Sequence, residues 1–597
     1  MKKALNQYNK LIDIMESTKK DTYICPVCKE ILTRNFGEKS QYYSHPKGKG
    51  QDCELKLKLI IKDDNLDELS QDQIDILQKE YYDKEFNDIH IELSDYKSEE
   101  GYYLTQEQKN IIFSKENKIK ISALAGSAKS STLYYYAKER HYKKILYLVY
   151  NRAMKDEADQ SFGKLSNVTI KTTHGLAFGY VGNLYKRKLT NSYKPVDIIK
   201  DLKLNWNTDM ELANKIHYMM NQYMLSNVKE FEELDLYKDE SGNSTEEREL
   251  IINKCKQLWE LKKEYNNNVK VEHDFYLKLF HLGQKDLSHK YDIVMIDEAQ
   301  DSNLIVLDII KNSRINGVAV VGDPLQQIYS WRNATNIMPL FEGKEYTLTT
   351  SFRVSQNIAN IANIIVKDIN KVNIDMKGFN VKQKIVNEIN KDKPYVCLCR
   401  TNAYIFAEVF EVINNNPNAK LFFEGGYSSY NFNNIRDFYF CSKGHKTKNP
   451  LFNKFNDFYS MIDYANEIED VEILALNRMV NSYGSKIPQI VDRIKNNTTT
   501  KKSEANVIFS TCHRSKGQTY TIPVYVSDDH FDIEEVFNKE YVFHEEFFDI
   551  NKYYEEMCIL YVAITRAANE IELSPKLKNY LLLRWNYFNK NSIKSII

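Results

Sequence analysis

Two adjacent carboxylates follow an apolar run, and their position suits nucleotide chemistry. Residues 293–296 predict a strand buried on both faces, and Asp297 and Glu298 come directly after it. Open α/β sheets bind ligands at the carboxyl ends of their strands. There Asp297 could hold Mg²⁺, and Glu298 could orient the water that attacks a γ-phosphate. The alternative is a buried strand that runs into an acidic turn.

A strand, a tight loop and a helix are predicted over residues 118–139, and the loop has the composition of a phosphate site. Lys129 could bridge the β- and γ-phosphates, and the Ser130 hydroxyl could coordinate Mg²⁺. Alanine replaces both glycines of the usual GxxxxGK[ST] pattern, at Ala123 and Ala128, so a plain strand-to-helix turn competes with this interpretation. The residues expected around the nucleotide are Ala125, Gly126, Ser127, Ala128, Lys129, Ser130 and Ser131.

Polar and aromatic residues gather at the ends of three further predicted strands. Such groups suit a sugar-phosphate backbone laid along the sheet edge, with bases stacked on the rings. After the last strand, Gln326 could also reach a γ-phosphate, so that one loop would sense both ligands; a domain interface is the alternative. The candidate nucleic-acid contacts are Tyr150, Asn151, Thr172, Thr173, His174, Tyr329, Trp331 and Arg332.

Gln108 stands at the start of a predicted amphipathic helix, ahead of the phosphate loop. Its primary amide donates and accepts together, as the edge of adenine requires. Taken alone, it could equally be a surface glutamine.

Four potential zinc ligands lie near the amino terminus: Cys25, Cys28, His45 and Cys53. Two thiolates two residues apart form a knuckle that supplies two corners of a tetrahedral site. The lysine-rich segment is too short for its own apolar core, so we expect it to fold on structural Zn²⁺ and to contact DNA or a protein partner. A chance CxxC is the alternative. A more acidic stretch from Asp63 to Glu100 predicts a helical linker.

Composition excludes little. The chain has 597 residues, which predicts several domains, and its 82 basic side chains balance 82 acidic ones, so any nucleic-acid surface must be local. No segment approaches 18 consecutive apolar residues or has the form of a signal peptide, and the nine cysteines are mostly scattered. We expect a cytoplasmic protein with reduced thiols. Abundant Lys, Asn, Ile and Tyr indicate an AT-rich genome, such as that of a bacterial virus or its host.

The ordered motifs resemble those of superfamily 1 DNA helicases of the UvrD/Rep/PcrA type, and within them the smaller F-box DNA helicase-like branch. The resemblance covers about 100–575. After Gln108 and the ALAGSAKS loop come YNRAM, TTHGLAF, IDEAQD, VGDPLQQIYSWR, SFR, LCRTNA, STCHRSKGQTY and EEMCILYVAITRA. Ten motifs in the family's order make a chance likeness negligible.

The resemblance implies an α/β protein with two RecA-like parallel-sheet motor domains, helical insertions and the small amino-terminal module. The first motor domain would comprise 99–180 and 285–345, with an inserted helical domain at 181–284. The second would comprise 346–403 and 506–597, with an insertion at 404–505. Residues 1–98 would form the zinc-binding module and its linker.

The resemblance also implies roles for individual residues. Gln108 and Phe352 would contact adenine, while Arg353 and Arg566 would act as arginine fingers from the second motor domain. Arg566 is expected on a helix. His513 and Lys516 would couple DNA to the nucleotide. Lys129, Asp297, Glu298 and Gln326 would complete the catalytic set.

Three departures from the family pattern stand out. Ala123 and Ala128 could weaken nucleotide affinity, and Thr519 occupies the position of the family's ribose-binding glutamate. The 404–505 insertion is shorter and richer in Asn and aromatic residues than that of the larger relatives.

These features predict an ATP- and Mg²⁺-dependent helicase or translocase on single-stranded and tailed duplex DNA, with 3′ to 5′ polarity implied by the resemblance, acting in replication, repair or recombination. A DNA-binding scaffold that no longer hydrolyses ATP is one alternative. An RNA helicase is another, because stacking and backbone contacts tolerate either sugar.

Overall fold

The structure is a computed structural model. It describes 92–99, 101–191, 193–205, 208–238, 244–328, 336–369, 374–380, 384–449, 452–455, 457–467, 471–527, 550–575 and 577–578, and the backbone of five amino-terminal strands. The chain forms two compact units: one comprises 91–526 and 555–572, and the other comprises 1–90, 527–554 and 573–597.

The amino-terminal strands form one antiparallel sheet in the order β2-β1-β3-β4-β5. The strands are β1 (Lys3–Asn6), β2 (Leu11–Asp13), β3 (Tyr23–Ile24), β4 (Ile31–Phe36) and β5 (Gln41–Ser44). The predicted zinc ligands Cys25, Cys28, His45 and Cys53 lie outside the described residues.

The larger unit begins with an antiparallel pair, β6 (Leu93–Lys97) and β7 (Tyr103–Thr105). The prediction of a helical linker is therefore wrong for residues 93–97. Their strand alternates buried Ser94 and half-buried Tyr96 with exposed residues, a period of two that favours a sheet over a helix.

A six-stranded parallel sheet follows, in the order β10-β9-β11-β12-β8-β13. Its central strands are apolar and buried on both faces, as helices on each side require. The strand before the acidic pair and the strand before the phosphate loop are separated by one strand, β12, which leads to Gln326. The strands are β8 (Lys118–Ala123), β9 (Ile145–Val149), β10 (Val168–Thr172), β11 (Ile293–Ile296), β12 (Gly317–Gly322) and β13 (Lys344–Leu348).

Five helices accompany this sheet. Thr105, Asn151, Thr172 and Asn303 cap four of them, each side chain accepting a backbone N–H of the first turn. The helices are α1 (Gln106–Ile112), α2 (Lys129–Glu139), α3 (Arg152–Phe162), α4 (Thr173–Tyr180) and α9 (Leu304–Asn312).

Between α4 and β11 lies a helical segment with its own core, which includes Ile216, Met219, Leu258 and Phe275. Lys278 is fully buried there, and its ammonium donates to the carbonyls of Ser226 and Val228 after α6. The helices are α5 (Pro195–Asp201), α6 (Met210–Leu225), α7 (Glu246–Lys263) and α8 (His273–Leu282).

A second six-stranded sheet has the order β16-β21-β20-β17-β19-β18. Strand β18 comes from within the range predicted as an insertion, because 421–423 is a short apolar run that pairs with β19. A short parallel pair, β14 (Thr350–Ser351) and β15 (Lys377–Gly378), precedes it. The strands are β16 (Lys384–Val386), β17 (Tyr395–Cys399), β18 (Leu421–Phe423), β19 (Val507–Thr511), β20 (Val524–Val526) and β21 (Glu570–Leu573).

Eight helices belong to this half of the sequence, and those of 404–505 share one core with the sheet. They are α10 (Gln356–Ile369), α11 (Asn402–Asn415), α12 (Phe432–Ser442), α13 (Phe458–Glu467), α14 (Val471–Tyr483), α15 (Ile487–Asn497), α16 (Cys512–Ser515) and α17 (Ile550–Ile564). No helix in the described ranges is long and apolar enough to cross a membrane.

Candidate nucleotide site

The acidic pair and the phosphate-loop lysine meet at the carboxyl edge of the first sheet. Lys129 Nζ lies 2.7 Å from Glu298 Oε1, and both side chains are largely buried. Burial opposes charge on Lys129, but Glu298, Asp297 and Asp323 raise its pKa. Burial likewise opposes charge on Glu298, but Lys129 and Lys516 lower its pKa to about 2. Each group therefore neutralises the other.

Glu298 is held in place by a second donor. Gln300 Nε2 donates to Glu298 Oε2, while Gln300 Oε1 accepts the Asp323 N–H at 3.1 Å. The backbone of Glu298 has φ +51°, a left-handed conformation that is strained for a residue with a side chain. The orientation of the Glu298 carboxylate is thus set by its unusual backbone conformation and by Gln300. Gln300 was not among the predicted site residues.

The Asp297 carboxylate, next to Glu298, accepts a hydrogen bond at each of its two oxygens. Tyr147 OH donates to Asp297 Oδ2 at 2.7 Å, and the Glu298 N–H donates to Oδ1 at 2.9 Å. Burial and the neighbouring Glu298 raise its pKa. A divalent cation placed here would relieve both effects, which fits the predicted Mg²⁺ role.

The phosphate loop is a tight cradle. Gly126 has φ +73°, and a Cβ there would lie 2.6 Å from Arg353 Cβ and from Ser351 Oγ, so only glycine fits. Ser127 Oγ is buried without a hydrogen-bond partner in the described part of the chain, at the start of a helix whose first N–H groups favour an anion. This unpaired hydroxyl fits a phosphate oxygen. Ser130 and Ser131 are exposed in the first turn of α2.

Ala128, which replaces a glycine of the usual pattern, has a left-handed backbone. Its φ is +57°, in the region that the pattern's usual glycine adopts freely. The loop keeps its shape, and the strain falls on the alanine, at about 1 kcal/mol. Ala123 ends β8 in extended conformation and carries no such strain.

Gln326 is positioned by Asp323 and, through it, by a tyrosine of α17. Gln326 Nε2 donates to Asp323 Oδ2 at 2.7 Å, and the Tyr561 hydroxyl donates to the same oxygen at 3.2 Å. That hydroxyl also accepts the Ala125 N–H of the phosphate loop at 2.9 Å. Tyr561 belongs to the YVAITRA motif, but no other feature of the sequence marks it as a site residue.

Two arginines enter the same cleft from the second half of the chain. Arg566 is 1% exposed, and among the described residues it donates to the neutral groups Val562 O, Gln518 O and Thr565 Oγ1. Burial, and then the like charge of Arg353, lowers the pKa of Arg566 to about 9. Arg353 donates to Thr565 O at 3.3 Å. Neither guanidinium forms an ion pair within the described ranges, so both are available to an anion.

The expectation that Arg566 lies on a helix needs correction. Helix α17 ends at Ile564, and Arg566 lies two residues beyond it, where its N–H donates to Ala563 O. The bond from Arg566 Nε to Val562 O fastens the side chain back onto the last helical turn.

The two residues predicted to contact adenine, Gln108 and Phe352, have partners within the protein. Gln108 is 2% exposed; its Oε1 accepts the Thr105 N–H at 3.0 Å in a capping box, and its Nε2 donates to Thr132 Oγ1 at 3.2 Å. Adenine recognition by Gln108 would require this network to open. Phe352 is half-buried beside Phe379, with ring centroids 5.5 Å apart, and its N–H donates to Gly126 O.

Of the predicted nucleic-acid contacts, five lie where the adjacent strands β9 and β10 end. Asn151 and Thr172 cap helices α3 and α4. His174 Nε2 lies 2.8 Å from Asp274 Oδ1, and Tyr150 and Thr173 are half-buried. Tyr329, Trp331 and Arg332 lie outside the described residues.

Lys516 points inward in this structure. Its ammonium pairs with buried Asp301 and donates to Gln326 O at 2.5 Å. Burial raises the pKa of Asp301 to about 6, against the attraction of Lys516. Lys516 thus touches the Gln326 loop directly, while His513 is half-buried on the same turn.

Within the described residues, no group of three or more His, Cys, Asp or Glu side chains could hold a metal ion by itself. Mg²⁺ would therefore need phosphate oxygens as ligands beside Asp297 and Ser130. The zinc prediction falls on undescribed residues and stays a prediction.

The parallel sheet, the phosphate loop and the acidic pair define a nucleotide-binding protein of the phosphate-loop class. Residues 104–346 match the family described as UvrD/REP helicase N-terminal domain. The chain is 28% identical over 517 residues to F-box DNA helicase 1 of Gallus gallus, and 26% identical over 529 residues to F-box DNA helicase protein 1 of Schizosaccharomyces pombe. The chain is therefore similar to UvrD-like superfamily 1 helicases near the F-box DNA helicase branch, which confirms the resemblance.

These alignments cover 81% and 79% of this chain but 50% and 57% of the two relatives, so the chain spans little more than half their length. A shorter match, 32% identical over 130 residues, is to a probable DNA helicase II homolog of Mycoplasma capricolum and covers 21% of this chain and 18% of that protein.

Proposed function

We propose that this protein is an ATP-dependent translocase on single-stranded DNA that unwinds tailed duplexes with 3′ to 5′ polarity. The proposal depends on one observation. Lys129, Glu298 and Gln326 lie together at the edge of one parallel sheet. Arg353 and Arg566 reach the same site from the second half of the chain. Neither buried guanidinium forms an ion pair with a described residue, and such groups suit the charge that develops on a transferring phosphoryl group.

ATP binding would change the partners of the charged side chains in this site. Lys129 leaves Glu298 for the β- and γ-phosphates, which frees Glu298 to orient water. Arg353 and Arg566 then gain the anion that they lack here, which favours the closed cleft. When the γ-phosphate leaves, that attraction falls and the cleft opens.

Movement requires that the two states differ in their affinity for the strand. Lys516 connects the nucleotide loop to the turn expected to face DNA, through its bonds to Asp301 and Gln326 O. Tyr150, Tyr329 and Trp331 are the proposed stacking platforms on which bases advance. The zinc-bound amino-terminal module would add a DNA or protein contact, and the pathway would be replication, repair or recombination.

The test is the ATPase rate with and without single-stranded DNA, followed by unwinding of duplexes with a 3′ or a 5′ single-stranded tail. We expect DNA stimulation and unwinding from the 3′ tail. DNA binding without turnover would instead favour the scaffold hypothesis, and equal stimulation by RNA would favour an RNA helicase.

A further inference from the structure

Tyr561 connects three parts of the nucleotide site through one hydroxyl. Its side chain is 0% exposed, and its oxygen lies 2.9 Å from the Ala125 nitrogen and 3.2 Å from Asp323 Oδ2. The backbone N–H can only donate, so the hydroxyl accepts from Ala125 and gives its single proton to Asp323. Both the direction and the number of these bonds are therefore fixed.

Asp323 passes the connection on to Gln326. Its carboxylate accepts the Leu325 N–H at 3.1 Å, the Gln326 amide at 2.7 Å and the Tyr561 hydroxyl. Since Gln326 Nε2 and Tyr561 share Oδ2, a change in where Gln326 points alters how strongly that oxygen holds Tyr561.

The other end of the connection is Arg566. Helix α17 carries Tyr561 and ends two residues before Arg566, whose Nε is bonded to Val562 O. Thr565, which donates to Tyr561 O at 2.8 Å, also accepts from Arg566 through its hydroxyl. The last turn of α17 therefore joins Tyr561 rigidly to the arginine.

We propose that Tyr561 is a positioning residue that transmits the state of the γ-phosphate from Gln326 to the α17–Arg566 segment, and so couples turnover to the DNA-bound state. When the cleft opens, the buried hydroxyl must leave both partners together, which makes the response a switch rather than a gradual adjustment. The proposal rests on the proposed ATPase function.

The test is Tyr561→Phe, which keeps the ring and removes the hydroxyl. The loss of a buried hydrogen bond corresponds to about a tenfold effect. We expect a roughly tenfold lower DNA-stimulated kcat and little change in the KM for ATP. Basal turnover should fall less, although Tyr561 also contacts the phosphate loop through the Ala125 N–H. The ratio of stimulated to basal turnover therefore falls, whereas general damage would lower both rates by the same factor and leave the ratio unchanged.

Tyr430→Phe is the matched control. Tyr430 is 1% exposed, and its hydroxyl bonds to two backbone carbonyls, Glu424 O and Phe509 O, in the second sheet's core. We expect a comparable change in thermal midpoint and no change in the stimulation ratio. If both variants behave alike in the ratio, the proposal is wrong.

A variant with both Tyr561→Phe and Gln326→Ala tests whether the two residues act through the same connection. Because both residues act through Asp323, the combined loss of stimulation should be close to that of the more severe single variant. Losses that multiply would overturn the proposal. Should Tyr561→Phe fail to fold, Asp323→Asn, which weakens the shared acceptor, should lower the ratio in the same way, and an unchanged ratio would overturn it. Wild-type protein without ATPase activity would refute the proposed function itself, a distinct outcome.

Discussion

Replacing Glu298 by glutamine should separate nucleotide binding from turnover, because in the proposed function ATP competes with Glu298 for Lys129. The ammonium and carboxylate are 2.7 Å apart, with side chains only 13% and 15% exposed. A nucleotide must therefore break a largely buried ion pair before Lys129 can reach its phosphates. Such close pairs have coupling energies of about 1.5 kcal/mol or more.

Glutamine weakens this hold in two ways. It removes the negative charge, and it replaces one carboxylate oxygen with an NH₂ group. Lys129 and Gln300 donate to different oxygens of Glu298, so one of them loses its acceptor. We therefore expect Mg²⁺–ATP to bind about tenfold more tightly, the equivalent of about 1.4 kcal/mol. Turnover should fall by about 10²- to 10⁴-fold, because the attacking water loses the group that orients it.

Affinity is measured by titration with a fluorescent ATP analogue in Mg²⁺ buffer, and turnover by phosphate release. The matched control is Glu345→Gln, which weakens a pair with Lys120 at 2.8 Å in the same sheet, where the Glu345 side chain is 76% exposed. An ion pair with a well-solvated carboxylate contributes little, so this variant should bind and hydrolyse ATP like the wild type. If Glu298→Gln binds ATP no more tightly than Glu345→Gln does, the competition between Glu298 and the nucleotide is refuted.

Lys129→Ala should abolish ATP turnover and leave single-strand binding largely intact, as measured by phosphate release and fluorescence anisotropy; unchanged turnover would overturn the site assignment. Ala128→Gly should relieve the positive-φ strain and raise the free energy of unfolding by up to about 1 kcal/mol, measured by denaturation, whereas clear destabilisation would contradict the assigned conformation. Burial lowers the pKa of Lys278 to about 7, so between pH 7 and 10.5 this lysine is protonated in the unfolded chain and neutral in the folded one. The free energy of unfolding should therefore rise with pH in that range, by at most about 1.4 kcal/mol per pH unit. Lys278→Met should show a flatter profile of thermal midpoint between pH 7 and 9.5 than the wild type, and an equal slope would refute this. Metal analysis should find zinc in the wild type and not in a Cys25→Ser, Cys28→Ser variant, and stoichiometric zinc in that variant would remove the zinc proposal.

The sequence by itself determined the main elements of the nucleotide site and their order. Each of these elements shows itself in neighbouring residues. Short apolar runs predict the buried strands, and the polar residues directly after two of them predict the loop before Lys129 and the acidic pair after β11. The motif order also revealed the family resemblance, because ten separated matches constrain one another.

Only the tertiary structure decided which polar groups pair. Glu298 and Lys129 are 169 positions apart, and Tyr561 and Ala125 are 436 apart, so no local pattern relates them. The positive φ of Ala128 and the end of α17 before Arg566 also depend on packing around the loop and the helix. In a crowded, buried site each donor takes the acceptor that the folded backbone brings within about 3 Å, and that choice is a property of the whole fold.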